Sequence, residues 1–224
     1  MIEITQHDHV FILTMDTGEN RMNAGWLEQF SSALDTVAAA DDPKALVTTG
    51  SGKFYSNGLD LEWLMTDGVD MAAFVAEVER VFARMLGLPL ITVAACNGHT
   101  FAAGAMLAMT HDFRVMRADR GFFCLPEVDL GIPLTPGMNA LMTGRLPIVT
   151  AHEVLVTGRR FGGIEAAHKQ IVDAAVAEDE VHPLAMDMAA ELAPKSGRTL
   201  GVIKQRMYET AIGLLSTSQG TSLP

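Results

Sequence analysis

The chain has 224 residues, 49% of them hydrophobic and 19% charged, with a formal net charge of −11. That length can bury a substantial core in one large domain. The acidity has the wrong sign for a nucleic-acid partner, which needs a basic face. Cys96 and Cys124 are the two cysteines, both in apolar stretches and not in a metal-ligand spacing, so they read as buried thiols of a reducing compartment. The first residues, M-I-E-I-T-Q-H-D-H-V, carry neither a basic nor an apolar leader, and no window is apolar for long enough to span a bilayer. A cytoplasmic protein with no membrane partner is the expectation.

In chain order, I-E-I-T at 2–5 and V-F-I-L-T-M at 10–15 predict a hairpin across the polar residues 6–9. Residues 24–40 place Trp26, Leu27, Phe30, Leu34 and Val37 at helical spacing, and 45–49 predict a strand. A second amphipathic helix spans 71–86, followed by an almost continuous apolar run at 90–95 that reads as a buried strand. A short helix is expected over 105–111, then short strands at 113–116 and 121–124 joined by a charged turn. The rest reads as helical over 137–145, 151–157, 164–169, 181–193 and 198–215, with one more strand near 171–174. The polar end, 216–224, is expected to fray.

Two loops of small residues stand out. G-S-G-K-F-Y-S-N-G-L-D-L at 50–61 follows one apolar strand, and N-G-H-T-F-A-A-G-A-M at 97–106 follows another; each leads into a helix. Such loops offer backbone N–H groups to a ligand, and two of them converging on one oxygen make an oxyanion hole suited to a thioester carbonyl. Gly58 stands where the backbone turns hardest, and Asp60 reads as a helix N-cap rather than a catalyst. A third loop, L-P-E-V-D-L-G-I-P at 125–133, sets Glu127 among apolar neighbours. Desolvation there would raise its pKa toward that of a general base; a solvated loop carboxylate or an ion-pair partner is the plainer alternative. Asp129 is expected to be exposed or to pair with Arg145 or Arg159. His99 reads as a satisfied loop histidine, and the remaining histidines have no metal-site spacing.

K-F-Y-S-N-G-L-D-L, N-G through Met106, and Pro126-Glu127 with Gly131 resemble, in order and spacing, the three signature loops of the crotonase (enoyl-CoA hydratase/isomerase) superfamily. N-R-M-N-A at 20–24 resembles its N-terminal substrate-binding turn. The likeness covers about residues 2–175, and S-N-G-L-D-L-x-W looks most like the Δ3,Δ2-enoyl-CoA isomerase branch. It implies an α/β fold, a crotonase-like spiral of ββα units with C-terminal helices, divided as a core at 1–175 and a helical, oligomerising region at 176–224. It implies a homotrimer or dimer of trimers, an acyl-CoA thioester substrate, and no cofactor or metal, CoA being part of the substrate.

Carried over by position, the resemblance gives the Leu59 and Ala103 N–H groups as the oxyanion hole and Glu127 as the catalytic acid/base. Arg21, Ser56, Asn57, Gly58, Asp60, Met106 and Pro126 would contact substrate, with Met109 beside Met106 in an acyl pocket. The family's hydratases use two glutamates, and the first of these positions is Met106 here. One carboxylate suffices to move a double bond, so isomerisation is the reading. Hydration or thioester hydrolysis by Glu127 alone, or acyl-CoA binding without chemistry, are the alternatives.

Overall fold

A computed structural model describes residues 1–220. The expected hairpin is present as β1 (Ile2–His7) and β2 (Val10–Met15), turning at Asp8 with φ +51°. Helix α1 (Ala24–Ala39) starts where Asn23 Oδ1 accepts the Trp26 N–H, and it buries the apolar stripe read from the sequence. From there the chain winds in a repeating unit. Strand β3 (Ala45–Gly50) is followed by β4 (Phe54–Ser56) and the helices α2 (Leu61–Leu64) and α3 (Met71–Leu86). Strands β5 (Ile91–Cys96) and β6 (His99–Phe101) lead into α4 (Ala103–Met109). Strands β7 (Phe113–Arg117) and β8 (Phe123–Cys124) lead into α5 (Glu127–Leu130).

Each turn of this spiral gives its first strand to one sheet and its second to another. With β9 (Ala174–Val176), the larger sheet has the order β1-β2-β3-β5-β7-β9, parallel from β2 onward, and the smaller is β4-β6-β8. The strands at 113–116 and 121–124 are therefore not partners: they lie in different sheets. The second strand of each unit is only two or three residues long, too short for an alternating pattern to mark it. The expected strand at 171–174 lies slightly later, as β9.

Alternation along the large sheet sorts its residues between two cores. Ala45, Val47, Ile91, Val93, Ala95 and Val115 face α9 (Glu178–Leu192), while Leu46, Ala94, Cys96 and Met116 face the main core beneath α1, α3 and α4. The main core continues into α6 (Pro136–Arg145), α7 (Ile148–Thr157) and α8 (Gly163–His168). A 3₁₀ turn at Ala193–Lys195 precedes the last helices. The single helix expected over 198–215 is two, α10 (Arg198–Met207) and α11 (Glu209–Ser216), which break at Tyr208. There the Arg145 guanidinium lies 5.1 Å from the Tyr208 ring centroid and donates to its hydroxyl, a contact from distant sequence that no local pattern announces.

The fray expected at 216–224 is not seen where the chain is described: Ser216 ends the last helix and Ser218 and Gly220 are hydrogen-bonded, while 221–224 lie outside the described residues. Among the described residues no helix is long and apolar enough to cross a membrane.

Candidate active site

The first two loops meet directly. Gly58 has φ +84°, and a Cβ there would lie 2.9 Å from Ala102 Cβ and 3.1 Å from the Ala103 nitrogen. A Cβ on Gly104 would lie 2.5 Å from the Ser56 carbonyl oxygen. Side chains at either position would force the loops apart. Asn97 joins them again: its Oδ1 accepts from the Gly50 N–H at 2.9 Å and its amide donates to Gly52 O at 3.0 Å. Ala102 reaches φ +50°, costly for a non-glycine residue, and this aims the start of α4 at the loop before it. As the first residue of α4, Ala103 has an N–H with no carbonyl to meet inside the helix. Neither its N–H nor that of Leu59 finds an acceptor among the described residues.

Behind the loops lies a buried brace. Thr48 Oγ1 lies 2.8 Å from both Tyr55 Oη and His111 Nε2, and His111 Nδ1 lies 2.9 Å from the Leu107 carbonyl oxygen. It joins β3 and the strand of the first loop to the end of α4. Burial pushes the His111 pKa down to about 3, so the imidazole is neutral and donates from Nδ1.

Leu59, Ala103 and Glu127 line one cavity of about 370 Å³. Met106, Val75, Leu134 and Met138 give it apolar walls, Asn57 and Phe101 line it too, and Arg21 and Glu62 supply charge. Pro126 lines it beside Glu127, whose carboxylate opens α5. Glu127 Oε2 is buried and has no hydrogen-bond partner. Desolvation raises its pKa to about 7, against a smaller lowering by its own backbone N–H. The solvated-carboxylate alternative is thus set aside by burial.

Other expected contacts fall elsewhere. Ser56 is fully buried and does not line the cavity; its hydroxyl donates to Asn20 O at 2.7 Å and accepts from the Gly58 N–H at 3.2 Å. Gly58 likewise shapes the loop from outside the cavity lining. Asp60 caps α2 through the Trp63 N–H and accepts from the Asn23 amide, bordering a shallow neighbouring cleft instead. Met109 is wholly in the core, one turn beyond the cavity wall. Asp129 pairs with neither arginine, because Arg145 is spent on the carbonyls of Met109, His111 and Asp112 and Arg159 on Glu153 and Glu165. His99 is not satisfied: its Nδ1 is buried without a partner among Phe54, Phe101 and Phe122.

Glu19 was not singled out in the sequence, yet it holds two polar residues of the cavity lining, Arg21 and Asn57. It pairs with Arg21 at 2.7 Å, accepts from the Asn57 amide at 2.8 Å, and its carbonyl accepts the Asn57 N–H at 2.9 Å. The Asn57 bond, then Arg21, lowers the Glu19 pKa, and Glu19 raises that of Arg21. Acidic residues in turns are too common for one to be picked out without its partners in view. Among the described residues, no group of His, Cys, Asp and Glu is placed to hold a metal ion.

Two glycine-dependent loops with unpaired N–H groups and a desolvated carboxylate thus border one cavity, an arrangement able to stabilise negative charge developing on a carbonyl oxygen. The profile of the enoyl-CoA hydratase/isomerase family matches residues 5–219, and the chain belongs to that family, the crotonase superfamily. Among curated relatives, enoyl-CoA delta isomerase 2, peroxisomal, of Arabidopsis thaliana is 33% identical, over 96% of this chain and 95% of its own length. Enoyl-CoA delta isomerase 3 of the same plant is also 33% identical, over 93% and 92%. Among solved structures, a probable enoyl-CoA hydratase of Mycobacterium tuberculosis superposes with a TM-score of 0.90 at 24% identity, over 97% of this chain and 92% of its own; at that identity the likeness is one of fold.

Proposed function

We propose that the protein is a Δ3,Δ2-enoyl-CoA isomerase, moving a 3-enoyl-CoA double bond to the 2-trans position with Glu127 as its acid/base. The observation that carries this is Glu127 itself: a desolvated carboxylate with an unpaired oxygen, lining the same largely apolar cavity as Leu59 and Ala103. Glu127 takes a proton from C2 and becomes the neutral acid. The electron pair spreads over C2–C4 and the thioester oxygen as a dienolate, and the Leu59 and Ala103 N–H groups stabilise the oxyanion. Glu127 returns the proton at C4, the double bond now joins C2 and C3, and the carboxylate is regenerated. The shuttle balances with no added cofactor.

Hydration would require a second group to position water or deliver a proton, and Met106 offers neither. The two plant relatives named as delta isomerases support the same choice. Arg21, held by Glu19, would meet a CoA phosphate, and Asn57 would border the path of the thioester arm; both line the cavity. The proposed assembly is a homotrimer or dimer of trimers, supported by the exposed apolar residues Ile148, Val149 and Val156 on α7. The proposed compartment is the cytoplasm; imaging of the tagged full-length protein separates it from the peroxisome.

The test is turnover of 3-hexenoyl-CoA, followed as 2-enoyl-CoA formation, by the parent protein and Glu127→Gln. The variant should lose about 10²–10⁴-fold in kcat. Undiminished turnover would remove Glu127 from the reaction.

A further inference from the structure

Glu79 is fully buried in α3 and takes no part in the proton shuttle. It faces no basic side chain in an ion pair; two hydroxyls close on its carboxylate instead. Thr135 donates to Oε1 and Ser218 to Oε2. Each hydroxyl is also a backbone cap. Thr135 Oγ1 accepts the Met138 N–H at 3.1 Å and so begins α6, and Ser218 Oγ accepts the Gly220 N–H at 3.0 Å and so turns the C-terminal segment. An ionised carboxylate receiving both protons satisfies all three side chains at once, which is what keeps a buried charge tolerable. Burial raises the Glu79 pKa, and the two hydroxyl bonds lower it.

What this carboxylate ties together bears on the cavity. Val75, one helical turn before Glu79, lines it, and so do Leu134 and Met138, which flank Thr135. Gly137 leaves the notch that admits Glu79: a Cβ there would lie 2.8 Å from Glu79 Oε1 and 2.9 Å from the Leu215 nitrogen. Beyond Ser218, the chain lies against the first turn of α3, where a Cβ on Gly220 would fall 1.9 Å from Ala72 O. The Val75, Leu134 and Met138 part of the cavity wall is thus backed by two elements far apart in sequence, both fastened to one side chain.

We propose that Glu79 is the positioning residue that sets the length of acyl chain the cavity accepts, by clamping the Leu134–Met138 wall and the C-terminal segment behind it onto α3. The proposal rests on the acyl-CoA reading of the cavity but not on Glu127 chemistry. Glu79→Gln keeps the volume but puts donors where one hydroxyl proton was received, so that arm opens and the wall yields outward.

The experiment compares parent, Glu79→Gln and the milder Ser218→Ala, which removes only the tail arm. One readout is kcat/KM for 3-enoyl-CoA substrates of six, ten and fourteen carbons. The other is amide hydrogen exchange at Met138 and Gly220, which needs no substrate. In Glu79→Gln the fourteen- to six-carbon ratio of kcat/KM should rise about tenfold, through KM rather than kcat, and at least one of the two amides, that of the opened arm, should exchange faster. In Ser218→Ala the Gly220 amide should loosen and the ratio should move the same way by less. Unchanged exchange at both amides, or an unchanged length profile in a folded Glu79→Gln protein, overturns the proposal. Absence of turnover in the parent would instead count against the isomerase reading; graded binding of saturated acyl-CoA esters and the exchange rates would then still decide the role of Glu79.

Discussion

Glu127 carries two consequences that pull in opposite directions. In the proposed shuttle its carboxylate must be ionised to accept the C2 proton, and burial holds its pKa at about 7. The kcat/KM of the isomerase should therefore fall about tenfold for each unit below pH 7 and level off above it, as a pH–rate profile would read. For stability the sign is reversed. The folded pKa is raised above the ordinary 4.5, so between about pH 4.5 and 7 the folded state holds a proton that the unfolded state has released. Stability is lost as pH rises through that window, on the order of 2–3 kcal/mol by pH 8. Glu127→Gln never ionises, so it should melt several degrees above the parent at pH 8 and level with it near pH 4. A variant that is inactive and also less stable at pH 8 would contradict the desolvated site. The sequence made this residue legible through its apolar neighbours and the proline before it. It did not separate Ser56 from Asn57: adjacent polar residues, one turned inward to brace a loop, the other lining the cavity.

At the scale of elements, the glycines decide whether the two loops can share an oxygen. Gly104→Ala would set a methyl group 2.5 Å from the Ser56 carbonyl and push the first loop off the start of α4. With the Leu59 and Ala103 N–H groups no longer converging, kcat should drop about 10²-fold or more while far-ultraviolet circular dichroism stays near that of the parent. Retained kcat in that variant would show that the loops need not touch. The long elements were readable because their periodicity runs over many residues: α3 occupies the predicted span of 71–86. Strands β4 and β6 were not, since three residues inside glycine-rich loops carry no period; β8 falls within the strand expected at 121–124, but its pairing, like theirs, is fixed only when three loops from different turns stack. The break at Tyr208 was hidden for a related reason. Both halves are good helix formers, and the partner that marks the break, Arg145, is far away in the chain.

For the whole molecule, the proposed oligomer makes a prediction that activity alone would not. Val149 is 77% exposed beside the equally bare Ile148 at the start of α7. Val149→Glu should shift the protein toward monomer in light scattering if that helix is a subunit contact. An unchanged mass would move the contact elsewhere. Order across the molecule is also held by polar fasteners at long range, such as Lys204 of α10, which donates to Asp112 at 2.9 Å and to the Leu90 carbonyl at 3.1 Å. The brace of Thr48, Tyr55 and His111 is another, and it differs in carrying no charge at any pH where the enzyme would work. Its imidazole stays neutral down to about pH 3. The mounting of the proposed oxyanion donors is therefore electrically silent while Glu127, the proposed base, changes state. A titration of activity near neutrality then reports on the instrument's moving part and not on its frame.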